Sequence, residues 1–534
     1  MLPRTALIQL GKLLARDLNE TGSVNDSLRD VGHALAAHPP SMLELLDLIA
    51  TESRKKKPNP ALVTAFTFMA GQGLEELRYG VERNLVASIE GVAAVRAKVL
   101  SLAQGGKLEA DALYPVLRQF VIAKLDLGDE LQAVMAASID HGPGPVMPGK
   151  ADIDHFLRDM ARQHDGDIFA LQAQLAENIG VFPEDQRGGI VALALAASDA
   201  ALREIAVGWL LDPGAAARRD TAAHLHQAVA AGRVSGTMLR RMITLRNWIP
   251  EAERAALDEI IRACRQKGGI ECTPAKMPEI KEIAASSVDG SGALSIFLIV
   301  KDGRKQAAAA LLLKQDIGVR DAWTRPALTK ADAEMFLFQI RSQLDVYPCS
   351  IDFVRAALGH ALAVNLESGV LPPFGLVDFV ERAGLASINP ESLPVTELVA
   401  RLTRDLPADR LTGAAVAKAL QDSAAWQSEF PFVESWFEDD RAIELLLGGK
   451  RLSAKRQAAL VLEQYLPTRR AHWAEILGWM ALVLKHDEEA GDLWQDFALV
   501  ARELLGERRL SEIPLMVWVA ELTAEAWKAR SASS

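Results

Sequence analysis

The chain of 534 residues is too long for one hydrophobic core, and its length favours roughly three or four domains or lobes. Hydrophobic residues make up 49% of it and charged residues 24%, which is typical of folded proteins and excludes wholesale disorder. The formal net charge of −11 argues against nonspecific nucleic-acid binding by the whole surface, although a local basic patch is compatible with it.

The cysteines indicate a reducing compartment. Cys264, Cys272 and Cys349 cannot all pair, they form no CxxC motif, and their spacing matches no standard zinc motif. No apolar run approaches the roughly 18 residues of a membrane span, and the N-terminus has the pattern of an amphipathic helix rather than a signal peptide. We therefore expect a cytoplasmic protein without a metal, another cofactor or a membrane partner.

The first half of the chain has a helical pattern on both sides of one clear break. Residues 1–138 consist of apolar clusters separated by polar or proline-containing joints, which predicts an N-terminal helical region. The segment from His141 to Pro148 contains two glycines and three prolines, and these residues interrupt helices. We therefore predict a linker there and a second helical region at residues 149–267.

Short amphipathic helices are predicted within the second region. Asp199 suits an N-cap, and apolar residues follow it at helical spacing: Leu202, Ile205, Ala206, Trp209 and Leu210. A turn at Asp212-Pro213-Gly214 then leads into a second helix, Ala215 to Ala230. Helices of about four turns with one apolar face are marginal alone, so they are predicted to stack on one another.

Two segments of this region share an order of residues. In LDPGAAARRDTAAHL the relevant residues are Asp212, Ala217, Arg218, Ala222 and Leu225, and in SDAALREIAVGWL they are Asp199, Leu202, Arg203, Ala206 and Leu210. The first segment resembles the second-helix signature of HEAT-type repeats. Because the two arginines are 15 residues apart rather than the roughly 40 of regular repeats, the resemblance implies irregular, HEAT- or armadillo-like stacked helical hairpins over residues 188–267.

One stretch has the pattern of β-strands. Leu294–Val300 is apolar, Asp302-Gly303 favours a type I′ hairpin turn, and Ala307–Leu313 forms the returning run. The segment DIGVRDAW could add a third strand. We predict a small antiparallel β-hairpin or three-stranded sheet near residues 293–323, within a β element at 282–325.

The rest of the chain returns to helical periodicity. A capping-box pattern at Thr329 opens a helical region at 329–425, and a tryptophan-rich helical lobe follows at 426–530. Seven of the ten tryptophans lie in this lobe, at spacings that are typical of a core rather than of a ligand site. The predicted fold is therefore mainly α with one small antiparallel β element.

No catalytic residue can be assigned from motifs. His155 and His164 are candidates for a metal-binding pair, but nine residues of continuous helix place them on opposite faces. Gly290 and Gly292 faintly match a kinase glycine-rich loop, yet no HRD or DFG motif follows, and a turn entering a hairpin explains both glycines.

Basic residues supply the candidate binding site. Five arginines of two adjacent predicted helices are its members: Arg218, Arg219, Arg240, Arg241 and Arg246. Arg246 falls inside an apolar stripe, where it must pair, snorkel or cap the helix. Arginines that lined a concave helical surface could bind phosphate or an acidic partner.

The leading interpretation is a non-enzymatic interaction or scaffold protein that presents a helical-repeat surface to a macromolecular partner, most simply a protein. One alternative is a nucleic-acid or phosphate binder that uses the Arg218–Arg246 basic face. Another is an enzyme with its site between the β element and the flanking helices. A cleft there with converging carboxylates or histidines would favour the enzyme. The sequence predicts no oligomeric state.

Overall fold

The structure is a computed structural model that describes residues 3–21, 28–141, 150–266, 269–275, 278–449 and 452–533. Apart from His141, the predicted linker lies outside the described residues, as does residue 267 at the end of the second predicted region. Helices dominate, and one antiparallel sheet lies among the described residues. The prediction of a mainly α fold with a small antiparallel sheet is confirmed.

Fourteen α-helices precede the sheet in the described chain. They are Arg4–Thr21 (α1), Leu28–Ala37 (α2), Pro39–Ser53 (α3), Pro60–Glu82 (α4), Val86–Gln104 (α5), Ala110–Ile122 (α6), Asp129–His141 (α7), Lys150–Gln163 (α8), Ile168–Ile179 (α9), Glu184–Ala196 (α10), Ala200–Glu204 (α11), Ala215–Ala230 (α12), Gly236–Leu245 (α13) and Glu251–Gln266 (α14).

The sheet and the remaining helices follow. The strands are Glu279–Ser286 (β1), Ala293–Asp302 (β2), Lys305–Lys314 (β3), Gly318–Leu328 (β4) and Val346–Pro348 (β5). The helices are Lys330–Arg341 (α15), Ile351–Ser368 (α16), Gly375–Ala383 (α17), Val395–Arg404 (α18), Gly413–Asp422 (α19), Trp426–Glu429 (α20), Arg441–Leu447 (α21), Ala454–Leu460 (α22), Arg470–Leu484 (α23), Leu493–Leu505 (α24) and Pro514–Ser533 (α25).

The chain forms two compact units. The first unit comprises Met1–Asp165, Ala173–Leu193 and Ala532–Ser534, and the second comprises Gly166–Gln172 and Ala194–Ser531.

Helix α4 organises the core of the first unit. It packs against α1, α2, α3, α5 and α6, as expected of a helix that is apolar on most of its circumference. The Asn59 side chain caps it by accepting a hydrogen bond from the Leu62 amide at 3.3 Å, and Pro60 occupies the first turn. Gly73 allows α3 to approach closely, because a Cβ there would meet the sulfur of Met42.

The stretch after Asp199 departs from the predicted α-helix. Asp199 caps α11 as predicted, accepting a hydrogen bond from the Ala201 amide at 2.9 Å. From Ile205 to Leu211, however, the backbone forms a 3₁₀ helix in which all seven residues are buried. The prediction of one apolar stripe is wrong here, because a segment buried on every side has no solvent-facing half. Helix α12 has the predicted bounds.

The sheet is larger than predicted, with five strands in the order β4-β3-β2-β1-β5. Asp302 pairs with Lys305, so the hairpin loop consists of Gly303 and Arg304. Only Gly303 has a positive φ, +62°, which fits a type II′ turn. The predicted type I′ turn with Asp302 and Gly303 at its centre is wrong, because Asp302 has no positive φ and belongs to the strand pair that precedes the loop.

Helices cover both faces of the sheet. On one face α15 packs against Phe297 of β2, whose ring lies 6.4 Å from that of Phe336. Alternate side chains point to the opposite face. There Leu294 and Leu313 line a small cavity together with Ala361 of α16. The buried runs in β2 and β3 follow from this two-sided cover.

The tryptophan-rich lobe contains an aromatic core, as predicted. Trp426 stacks on Phe497 with ring centroids 4.0 Å apart, and Trp436 and Trp473 are fully buried. The side chains of these three tryptophans are therefore packed inside the lobe, where they stabilise its core rather than face a ligand.

Candidate functional site

Arg218 is committed to an internal ion pair. Its Nε and Nη2 donate to the two carboxylate oxygens of Glu253 at 2.8 and 2.6 Å, and Nη1 donates to the carbonyls of Asp212 and Pro213 at 2.7 and 2.8 Å. The side chain is only 9% exposed. It therefore joins the turn before α12 to α14 and presents little charge to solvent.

Arg240 and Arg241 meet one carboxylate of α17. Arg241 donates from Nε and Nη2 to Glu381 at 3.0 and 3.1 Å, and from Nη1 to Glu204 at 3.0 Å. Arg240 donates from Nη2 to Glu381 at 2.9 Å. The Arg241 guanidinium also lies 4.6 Å from the ring centroid of Phe169. Two arginines and two glutamates thus form one network.

The network controls the ionisation of Glu381. Burial alone would raise the pKa of this carboxyl group. The hydrogen bonds and charges of Arg241 and Arg240 outweigh burial and lower its pKa below the usual value. Glu381 is therefore a stable anion at neutral pH, and its charge balances the arginines that were predicted to bind an external anion.

Arg246 and Arg219 complete the predicted set. Arg246 forms an ion pair rather than snorkelling or capping its helix: its Nε and Nη2 donate to Asp258 at 2.6 and 2.8 Å. Arg219 is exposed and makes no ion pair in the part of the chain that the structure describes. Four of the five predicted residues are therefore neutralised by carboxylates of the same chain, and Arg219 alone presents an unpaired charge.

A polar groove of about 670 Å³ adjoins Arg240. Each of three cations that line it lies beside a carboxylate: Arg240 beside Glu381, Lys301 beside Glu279, and Arg382 beside Asp378 and Asp302. Among the residues that the structure describes, four carboxylates thus face three cations in this groove. The balance of charge does not favour an anionic ligand.

A cavity of about 40 Å³ lies between the sheet, α16 and α23. The His360 Nδ1 accepts a hydrogen bond from the Leu393 amide at 3.1 Å, which places the ring proton on Nε2. Nε2 lies 3.4 Å from Oε1 of Glu475, whose other oxygen accepts a hydrogen bond from Gln315 at 2.6 Å. The site therefore brings together a histidine and a carboxylate where the enzyme hypothesis expects them.

The arrangement gives this pair no evident catalytic role. Both ring nitrogens of His360 already have partners, so neither is free to accept a proton from a substrate. The described residues that line the cavity include no hydroxyl or thiol nucleophile. A volume of about 40 Å³ has room for roughly one water molecule rather than a metabolite. His360 and Glu475 were not predicted, because they lie 115 residues apart in sequence.

The outward side of α15 carries two large apolar side chains that are exposed to solvent. The helix buries Ala333, Phe336 and Leu337 against the sheet. On its opposite side Met335 is 56% exposed and Phe338 is 67% exposed. The signal in the sequence was the helical spacing of Ala331, Met335 and Phe338, which places these apolar residues along one line of the helix.

These features define the class: a mainly α-helical protein with one antiparallel sheet among the described residues. None of the described helices combines the length and the hydropathy that a bilayer crossing requires.

Comparison with known proteins gives similar domains. Three family models match parts of the chain: the Y4lR second domain at residues 183–268, a domain of unknown function (DUF7401) at residues 275–380, and the Y4lR C-terminal helical domain at residues 396–528. The chain is similar to the uncharacterized protein y4lR of Sinorhizobium fredii (strain NBRC 101917 / NGR234), with 24% identity over 491 residues, or 90% of this chain and 91% of that protein. No solved structure matches. None of these descriptions states an activity or a partner.

Proposed function

We propose that this chain is a non-enzymatic interaction protein that presents a helical surface to another protein. The observation that carries the proposal is the outward side of α15, where Met335 and Phe338 are more than half exposed. Methionine and aromatic residues are enriched at the centres of protein interfaces, and neighbouring large apolar side chains are uncommon on surfaces without a partner. The expected partner surface is therefore apolar at its centre.

The placement of charge supports a protein partner over nucleic acid. A phosphate backbone would have to compete with Glu253, Glu381 and Asp258 for the predicted arginines. Breaking the pairs of Glu253 and Glu381 would leave two partly buried carboxylates without their main partners, which is unfavourable. Arg219 alone adds too little charge for strong phosphate binding.

Two further expectations belong to this proposal. Residues 188–267 act as an irregular HEAT-like stack that holds its neighbours in place. The protein is cytoplasmic, which the three free cysteines support because free thiols persist in a reducing compartment.

A pull-down with the full chain from cells that express it natively tests the proposal, with and without nuclease. We expect a specific protein to be retained under both conditions by the wild type and lost by Phe338→Asp. Leu445→Asp is the matched control, because Leu445 is a 71% exposed leucine on α21. Retention that disappears with nuclease would instead support the nucleic-acid alternative. Equal retention by the Phe338→Asp variant would refute the assignment to α15.

A further inference from the structure

The outward side of α15 forms a stripe that can match itself. Ala331, Met335, Phe338 and Ser342 recur at spacings of four, three and four residues, so they lie along one line of the helix. All four are exposed. Large side chains occupy the centre of this line and small side chains occupy its ends. We propose that α15 packs antiparallel against α15 of a second copy of this chain, an inference that rests on the proposed function because it names the partner.

Two-fold symmetry places unlike groups opposite each other. When Met335 lies opposite Phe338 of the second copy, symmetry repeats the same contact with the two chains exchanged. Ala331 then lies opposite Ser342, so the helix ends can approach without large side chains between them. The thioether against the aromatic ring is a favourable contact that fills an irregular gap well.

The charges beside the stripe complement each other in the same arrangement. Glu334 and Arg341 are seven residues apart and therefore share one flank of α15. In an antiparallel pair equal flanks adjoin, and Glu334 falls within about 3 Å, along the helix axis, of the position opposite Arg341 of the second copy. Symmetry makes this pair twice, whereas a parallel arrangement would place this flank beside the other flank of the second helix, which carries Asp332 and Gln339.

Both charged groups are accessible for this contact. Glu334 is 66% exposed and lies 3.5 Å from Lys330, whose own side chain is 80% exposed. Arg341 is 56% exposed and uses Nη2 to contact Glu282. A guanidinium has five N–H donors, so the remaining donors of Arg341 can reach a second carboxylate.

The length of the contact determines its strength. Helix α15 has 12 residues, which corresponds to about 18 Å at 1.5 Å per residue. An interface between two such helices is smaller than the roughly 1,200 Å² of total buried area that stable complexes reach. The dimer is therefore weak and dynamic, and it is populated at micromolar or higher concentration.

Sedimentation velocity on the full chain, from about 1 to about 100 µM, measures this self-association. We expect the weight-average mass to rise with concentration for the wild type and for Leu445→Asp. Phe338→Asp should stay monomeric, because the symmetric contact would bury two carboxylates in an apolar centre.

Exchanging the two charges distinguishes the antiparallel orientation from nonspecific hydrophobic association. Glu334→Arg and Arg341→Glu should each weaken dimerisation about tenfold, because each creates two like-charge contacts. The double variant exchanges the charges and should recover to within about threefold of the wild type. Equal loss in the double variant would overturn the antiparallel register.

The outcomes separate this inference from the proposed function. If the wild-type chain stays monomeric over the whole concentration range, a second copy is not the partner. The proposed interaction role would still be supported if Phe338→Asp failed to retain a different protein in the pull-down. If the wild type is monomeric and Phe338→Asp lowers the melting temperature, residues of the same chain cover this face. That result would also overturn the inference.

Discussion

Arg241 donates from Nε and Nη2 to the two carboxylate oxygens of Glu381, at 3.0 and 3.1 Å, across 140 residues of sequence. The guanidinium is planar and matches both oxygens at once, which a lysine could not do. The contact joins α13 to α17. A residue that the sequence assigns to a binding surface is therefore part of the internal structure of the second unit.

Arg241→Ala should destabilise the protein by about 2–4 kcal/mol, because the partly buried carboxylates of Glu204 and Glu381 would lose a partner and only Glu381 would keep another, Arg240. The side chain is 7% exposed, so solvent offers little compensation. Urea unfolding followed by circular dichroism measures the change in the free energy of unfolding.

The exposed residue of the same predicted set provides the control. Arg219→Ala should change the free energy of unfolding by less than about 0.5 kcal/mol, because no ion pair is lost. Equal effects of the two substitutions would contradict the network described for Arg241.

Local spacing predicts which elements form but does not identify distant partners. The periodicity of α12 and the capping box at Thr329 depend on neighbouring residues, and the structure confirms both. The carboxylate that Arg240 and Arg241 share, Glu381, belongs to α17, far along the chain, and nothing near the arginines in sequence indicates it. The arginines were therefore identified, but their role in a binding site remains untested.

Strands β1 and β5, which were not predicted from the sequence, also depend on partners that local spacing does not identify. β1 begins with Glu279, Lys281 and Glu282, whose charges conceal a strand that becomes apolar only towards its end. β5 has only three residues, too few for a periodic pattern. Both strands exist because β2 offers an edge to β1 and β1 offers one to β5, which is a property of the folded sheet.

Stability should depend on the protonation of His472. Burial, together with the positive charge of Arg469, lowers the pKa of His472 to about 4. These effects outweigh the hydrogen bond that Nε2 donates to the carbonyl of Gly290 at 3.2 Å, which favours the protonated ring, so the folded protein holds the ring neutral above about pH 4. Between its ordinary pKa of 6.5 and about 4, the unfolded chain binds a proton that the folded chain does not.

The free energy of unfolding should therefore fall as the pH falls from 6.5 to 4, by up to about 3 kcal/mol for this group, and change little further from it below pH 4. His472→Gln should remove this contribution, so its stability relative to the wild type should rise as the pH falls. Denaturant unfolding at a series of pH values measures it. His155→Gln, at a residue whose side chain is 70% exposed, should preserve the wild-type profile.

Asn365 fixes the turn between β3 and β4 to α16. It is fully buried, its Oδ1 accepts a hydrogen bond from the Val319 amide at 2.8 Å, and its Nδ2 donates to the carbonyls of Ile317 and Val370 at 2.9 and 2.8 Å. Asn365→Ala should cost about 2–4 kcal/mol in thermal unfolding, because buried backbone groups lose their partners. Ser368→Ala should cost less than about 1 kcal/mol, because the hydroxyl is exposed and its contacts, with the carbonyls of Ile317 and Asn365 at 3.3 Å and with the Val370 amide at 3.4 Å, are long.

Substitutions at two glycines of the sheet allow the cost of backbone strain to be measured separately from the cost of a steric clash. Gly303 and Gly318 both have positive φ angles, +62° and +92°, where a side chain is unfavourable. A Cβ at Gly303 would meet nothing within 4 Å, whereas a Cβ at Gly318 would collide with the carbonyl oxygen of Ala361 and with Asn365. Gly303→Ala should therefore cost about 1–2 kcal/mol, from backbone strain alone.

Gly318→Ala should cost more than about 3 kcal/mol, because β4 must also move away from α16. Thermal unfolding of both variants measures the difference, and intrinsic tryptophan fluorescence reports whether the packing around the small cavity, which includes Trp479, changes with it. Equal destabilisation by the two substitutions would mean that α16 does not hold the β3–β4 turn closely. His360 lies on the same helix as Ala361, so a shift of α16 in Gly318→Ala should also weaken its contact with Glu475.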